Sequence, residues 1–262
     1  MDFGMPTLIE CDGLRENAEL CMALGLDFVE LNMNLPEYRP RMLENNAELR
    51  KYASSAPVYF TVHLDENLNV ADFNDAISDA YLDTVKRTIR VCAEICAPVL
   101  NMHMNRGVHF TLPDRKVYLF EKYRDAYMRA YEKFGSVCES EIGDADIRIC
   151  IENTDGWRDF EKGAIEHLLE SRVFALTFDI GHSHSVGDAD EGFISEHADK
   201  LRHFHIHDAR GKSNHLALGT GEIDLMSRLD LAKAHGCRCV AETKTVSALK
   251  TSVEWLRAHG RL

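Results

Sequence analysis

The sequence predicts an α/β fold, a single (βα)8 barrel over residues 1–262, and three observations carry that prediction. Short β-branched or aromatic runs alternate with longer segments of helical spacing at intervals of about thirty residues. The length of 262 residues suits one barrel of roughly 250 residues. Successive candidate strands also end on polar residues of one chemical kind, histidine or carboxylate.

The candidate strands are Thr7–Glu10, Phe28–Asn32, Val58–His63, Pro98–His103, Ile147–Glu152, Phe174–Asp179, Arg202–His207 and Arg238–Glu242. Helical spacing fills the gaps between them. In Lys116–Phe134 the residues Val117, Phe120, Tyr127, Tyr131 and Phe134 recur at helical intervals, and Tyr81, Val85, Ile89, Cys92 and Cys96 do the same. Alternation of strand and helix implies parallel pairing, because each crossover helix returns the chain to the same edge. Eight such units favour closure; an open doubly wound sheet is the alternative.

Composition narrows the function classes. Hydrophobic residues make up 45% and charged residues 28%, an ordinary balance for a chain that buries a core. No apolar run reaches the roughly 18 residues of a membrane span. Met1–Glu10 has no basic segment followed by an apolar one, so a cytoplasmic protein is expected. The eight cysteines are read as free thiols, since a chain of this length needs no disulfide framework. A formal net charge of −13 argues against nucleic acid as a partner, because phosphate recognition usually needs a basic footprint.

The polar strand ends carry the chemistry. They are His63 in Tyr-Phe-Thr-Val-His, His103 in Leu-Asn-Met-His, and Glu152 in Ile-Cys-Ile-Glu-Asn. Asp179 follows in Phe-Asp-Ile-Gly-His, His205 in His-Phe-His-Ile-His-Asp, and Glu242 in Val-Ala-Glu-Thr-Lys. Taken singly each has an ordinary role: a strand-end histidine is commonly structural, and Asp179 and Asp208 suit turn caps. In a barrel, however, all six converge on one rim. Ionisable groups brought together there repel or lose their charge unless a cation pairs them. Glu152, Asp179, His205 and Glu242 are therefore predicted to hold a divalent metal, with Mn²⁺, Zn²⁺, Mg²⁺ or Co²⁺ suited to that donor set. His63 and His103 with Glu152 are candidates for a second, nitrogen-rich site, or for hydrogen bonds to substrate oxygens. His182, three residues after Asp179, is expected in the same pocket, whereas His184, further along the turn, is as readily solvent-exposed and is not counted in the site.

These motifs resemble the xylose isomerase-like TIM barrel superfamily, which contains sugar (phosphate) isomerases and epimerases and the endonuclease IV class of abasic-site nucleases. The resemblance runs from about Gly25 to Glu242 and rests on Ile-Glu-Asn-Thr-Asp-Gly, Phe-Asp-Ile-Gly-His, His-Ile-His-Asp-Ala-Arg and Leu-Gly-Thr-Gly-Glu-Ile-Asp. It implies that Glu152, Asp179, His205 and Glu242 are metal ligands, with His63 and His103 matching two further ligands of the nuclease class. That class holds a third metal at positions matched here by His182 and His215, but Ser213 replaces its aspartate. The segment Gly-Leu-Asp-Phe-Val-Glu-Leu-Asn, residues 25–32, looks more like the sugar isomerase group.

The function predicted first is isomerisation or epimerisation of a small sugar or sugar phosphate through an enediolate, with Glu152 and Glu242 as base and acid on opposite faces of the substrate. His182, Arg210, His215 and Arg106 are expected to contact substrate. Asn105–Lys116, with Arg106, His109 and Arg115, is read as a candidate phosphate-binding lid. The rivals are a metal-dependent phosphodiesterase acting on abasic DNA and a non-catalytic metal or sugar binder. Homo-oligomerisation is compatible with every one of these readings.

Overall fold

A computed structural model describes all 262 residues. Eight strands run β1 (Phe3–Pro6), β2 (Phe28–Asn32), β3 (Tyr59–His63), β4 (Val99–His103), β5 (Arg148–Glu152), β6 (Phe174–Asp179), β7 (Leu201–Ile206) and β8 (Arg238–Ala241). All neighbours pair in parallel, and β1 pairs with both β2 and β8, so the sheet closes into a barrel with no free edge. Crossover helices such as Asp75–Glu94 and Arg124–Ile142 return the chain between strands, and the helix Val246–Ala258 follows β8. None is long and apolar enough to cross a membrane.

Seven strands lie within one residue of their predicted bounds, and the first does not. Thr7–Glu10 was expected from its β-branched residues, yet it forms the turn after β1, with Ile9 81% exposed. The strand is Phe-Gly-Met-Pro instead. Gly4 is required there because a Cβ would sit 2.5 Å from the ring of Phe28 on β2. A second correction concerns Lys116–Phe134. Its helix spans Arg124–Ile142, preceded by a short helical turn, while Lys116–Tyr118 pairs with His109–Thr111 in a two-stranded hairpin. Cys96 falls beyond its helix, exposed and at φ 53°.

Inward-facing residues follow the period of two expected of strands. Val99, Cys150 and Ala175 form a small apolar layer deep in the barrel. Above it the interior turns polar, with Glu30, Thr61, Asn101, Thr177 and His203 all buried. A register shift beside Arg202 sets His203 opposite Thr177 and His205 opposite Asp179. That bulge brings both histidines of β7 to the inner face.

Candidate metal centre

At the C-terminal mouth, ligand atoms of Glu152, Asp179, His205 and Glu242 all lie within 4.8 Å of one another. His205 is the hub. Its Nδ1 stands 3.3 Å from Glu152 Oε2, 3.3 Å from Glu242 Oε2 and 3.8 Å from Asp179 Oδ2. His63, Glu152 and His205 form an overlapping cluster, with His63 Nε2 at 3.3 Å and His103 Nε2 at 3.2 Å from Glu152 Oε2. The structure thus brings together all six strand-end residues named from the sequence.

Each is oriented by a neighbour. His63 Nδ1–H donates to the Leu64 carbonyl at 2.7 Å, which leaves Nε2 for the cleft. Asp179 caps the helix Ile180–Ser185 by accepting from His182 N at 2.7 Å, so the ordinary role foreseen for it coexists with membership of the cluster. Asn153 exchanges two hydrogen bonds with the Asp179 backbone, at 2.8 and 2.9 Å. Asn101 donates to Glu152 Oε2 and is itself held by the Thr177 hydroxyl at 2.5 Å.

Two orienting residues were not foreseen. Glu30 on β2 is 2% exposed and accepts from His205 Nε2 at 2.8 Å, His203 Nε2 at 2.9 Å and the Thr61 hydroxyl at 3.0 Å. A carboxylate behind an imidazole fixes which ring nitrogen carries the proton, so Nδ1 of His205 presents its lone pair to the cluster. His207 does the same for Asp179. Its Nδ1 accepts from His215 N at 2.8 Å and its Nε2 therefore donates to Asp179, 3.0 Å away. Although His182, His207 and His215 also cluster, both nitrogens of His207 are engaged. Gly181 makes room for that ring, since a Cβ there would lie 1.9 Å from it.

The electrostatics couple buried carboxylates to the histidines packed against them. Burial would raise Glu152 and Glu242, but His205 and its neighbours hold both well below the usual carboxylate range. Burial would lower His205, yet Glu152, Glu30 and Glu242 lift it well above its ordinary value. His63 and His182 are pushed up to about 9, burial being outweighed by Glu152 for the first and by Asp179 and Glu152 for the second. His215 goes the other way, lowered by burial to about 4, and is neutral. At an effective dielectric of about 20, two carboxylates about 4 Å apart repel by roughly 4 kcal/mol. Without a cation that repulsion is offset by protons held on His205, His63 and His182, which a divalent ion would displace. Four buried atoms at this point have no hydrogen-bond partner: His103 Nε2, His182 Nδ1, His205 Nδ1 and Glu242 Oε2. Imidazole nitrogens without partners and a carboxylate oxygen converging on one point fit a divalent cation, which would take the place of the imidazole protons.

The cluster opens into a cleft of about 540 Å³ whose lining includes His182, His215, Arg106 and Lys244. One substrate-contact expectation requires correction. Arg210 lies outside the cleft, exposed on the hairpin after β7 and donating to the Thr220 carbonyl at 3.1 Å. Arg106 lines the cleft, donating to the Gly156 carbonyl at 2.7 Å and standing 3.4 Å from Glu161 and 3.5 Å from Asp155. It braces the loop after β5. Of the Asn105–Lys116 segment, Asn105, Arg106 and Gly107 line the cleft, whereas His109 and Arg115 sit on an exposed hairpin outside it, with Arg115 paired to Asp114. Ser213 is exposed, and His184 is bonded to Glu222 at 3.0 Å. Lys244 was not foreseen as a site residue; its Nζ lies 2.9 Å from Glu242 Oε1.

Fold and cluster together define a parallel (βα)8 barrel with its ionisable site at the C-terminal strand ends. Residues 18–259 match the family described as xylose isomerase-like TIM barrel, and the chain belongs to that family. It is 27% identical over 225 residues to uncharacterized protein MJ1614 of Methanocaldococcus jannaschii, with 82% of each chain covered. Among solved structures it is similar to a D-tagatose 3-epimerase-like protein, with a TM-score of 0.78, 22% identity and coverage of 99% of this chain and 97% of the other. It is also similar to the IOLI protein with a bound zinc atom, with a TM-score of 0.73, 15% identity and coverage of 97% and 96%.

Proposed function

We propose that this chain is a metal-dependent epimerase or isomerase of a small sugar. The observation that carries the reading is the convergence of Glu152, Asp179, His205 and Glu242 within 4.8 Å at the floor of an open polar cleft. The likeness to a D-tagatose 3-epimerase-like protein and to a zinc-bound structure supports it. These four residues would hold the cation, with His63 and His103 available to a second one. When bound, a divalent cation supplies a Lewis acid that polarises a substrate carbonyl and offsets the charge its oxygen gains.

The chain's own groups account for the proton movements. Glu152 on β5 and Glu242 after β8 are both held in the base form by their imidazole neighbours. One removes the proton on the carbon next to the carbonyl; the other, protonated in turn by the cationic group beside it (His182 for Glu152, Lys244 for Glu242), delivers that proton from the opposite face, which inverts the centre. Return to the adjacent carbon instead gives isomerisation. His182 and neutral His215 stand beside them to hold substrate oxygens. The test is incubation with a ketose and aldose panel in heavy water, following exchange at carbon-bound positions. Absence of exchange with every sugar would remove the reading.

A phosphodiesterase remains the second reading, favoured by the approach of His63 and His103 to Glu152. Cleavage of an abasic duplex, lost in Glu152→Gln, would reverse the order. Against it, Arg106 and Lys244 are the cleft's only arginine and lysine, and each stands against a carboxylate, Glu161 and Glu242.

Two expected outcomes follow from the charge balance. Glu30→Gln weakens metal binding by about 10–100-fold, because His205 loses the partner that fixes its tautomer; an unchanged affinity by competition with a chromogenic chelator would exclude that role. In the metal-stripped protein His63 and His182 have folded pKa values raised from about 6.5 to about 9. Their stabilising contribution is full below about 6.5 and is lost as pH climbs through 9. The melting temperature of stripped protein should therefore fall between pH 7 and 9, while the increment on adding Zn²⁺ grows across the same interval, since the cation competes with those protons. A zinc increment that is flat with pH would contradict the assignment.

A further inference from the structure

A second cavity, of about 180 Å³, lies beside the cleft at the ends of β1, β2 and β8. Glu242 and Lys244 stand in the walls of both spaces. The partition is narrow: Glu242 turns Oε2 toward His205 and Oε1 toward Lys244 Nζ, at 3.3 and 2.9 Å. A ligand in the side chamber is therefore one residue away from the reacting centre. Lys244 has a half-exposed side chain, and its ammonium keeps two further donors beyond the one given to Glu242. The same partition is stitched at another edge, where Asn34 of the side chamber donates to Glu66 of the cleft at 2.8 Å and accepts from its N–H at 3.2 Å.

The two spaces differ in chemistry. The cleft lining includes one apolar side chain, Met104. The side chamber sets Leu8, Ile9 and Leu35 against Asn32, Asn34 and Thr243. Thr243 is fully buried and its hydroxyl has no hydrogen-bond partner. An apolar wall facing a polar edge matches a pyranose ring, which has a hydrocarbon face and a rim of hydroxyls. Size agrees as well, since at about 30 Å³ per water the chamber has the bulk of roughly six waters, close to one hexose ring. A free monosaccharide bound at the metal centre would leave this space unused.

We propose that the side chamber is a second substrate subsite, which receives a sugar ring glycosidically joined to the unit that reacts in the cleft, with Lys244 donating to oxygens at the junction. The proposal rests on the sugar reading above and narrows its substrate class from free monosaccharides to glycosylated sugars.

The test measures equilibrium binding by calorimetry, and carbon-bound proton exchange, with D-fructose, lactulose and isomaltulose. The latter two are fructose units bearing a second hexose. At least one disaccharide should bind about tenfold tighter than D-fructose, a difference of about 1.4 kcal/mol. Ile9→Trp, placed on the exposed rim of the chamber, should erase that preference, with the melting temperature confirming that the variant folds. Binding of D-fructose with equal or weaker binding of both disaccharides overturns the subsite and leaves the sugar reading intact. A disaccharide preference that survives Ile9→Trp overturns its location. Silence with all three sugars overturns the subsite as stated, and the wider sugar panel then decides the parent reading separately.

Discussion

Glu152→Gln is expected to lower kcat by about 10³-fold or more while leaving the barrel folded, the range that removal of a positioned acid–base group reaches. The reason lies in how many partners the carboxylate serves. Its Oε2 faces His63, His103 and His205 at 3.2–3.3 Å, and its Oε1 faces His182 at 3.5 Å. Glutamine keeps the shape but removes the charge, so the base is gone and the cation loses one of three anionic ligands. Metal affinity should fall in the same variant, and the two losses separate experimentally. Saturating metal recovers binding, whereas kcat stays low because an amide accepts no proton at neutral pH. His103→Gln, which removes a neighbour rather than the base, should cost far less. Retention of more than a tenth of wild-type kcat at saturating metal would take Glu152 out of the mechanism.

The clustered residues were legible because a strand that ends on a charged or imidazole side chain announces itself. Val-His, Met-His, Ile-Glu, Phe-Asp and Ala-Glu each close an apolar run, and parallel topology places every such end on one rim. Glu30 escaped because it sits inside its run, in Phe-Val-Glu-Leu-Asn. A signal was present, since an unpaired carboxylate is almost never buried, and a glutamate centred in an apolar strand implies a buried partner such as His203 or His205. The first strand was misplaced because Phe-Gly-Met-Pro contains two residues that ordinarily interrupt strands. What admits Gly4 is the ring of Phe28, a tertiary fact that no local pattern contains. Arg210 looked like a substrate contact because a sequence does not show which guanidinium groups face away from the cleft, here toward the Thr220 carbonyl.

Asp208→Ala should produce the largest loss of stability, about 3 kcal/mol. In a chain of this size that is roughly 6–12 °C in Tm. Asp208 is 1% exposed and accepts four backbone N–H groups, those of Ala209 and Ile223 on Oδ1 at 2.9 and 3.2 Å, and those of Gly219 and Gly221 on Oδ2 at 3.0 and 2.7 Å. The Leu-Gly-Thr-Gly-Glu-Ile-Asp segment is thus a loop wrapped around one carboxylate. Its second glycine is obligatory, because a Cβ at Gly221 would stand 2.2 Å from the Ala209 carbonyl oxygen. Alanine leaves those donors without an acceptor, and water reaches only some of them. Asp208→Asn should recover a part, since one oxygen still accepts while the amide group faces N–H donors. The damage should also reach the metal centre by a traceable route. Asp208 pairs with Leu216 across the hairpin that carries His215; the His215 N–H holds His207, and His207 holds Asp179. Metal affinity should therefore drop in Asp208→Ala measured well below its melting temperature, although no ligand has been changed. A variant that melts within 2 °C of wild type, or that melts early yet binds metal with full affinity, would show that this loop does not support Asp179.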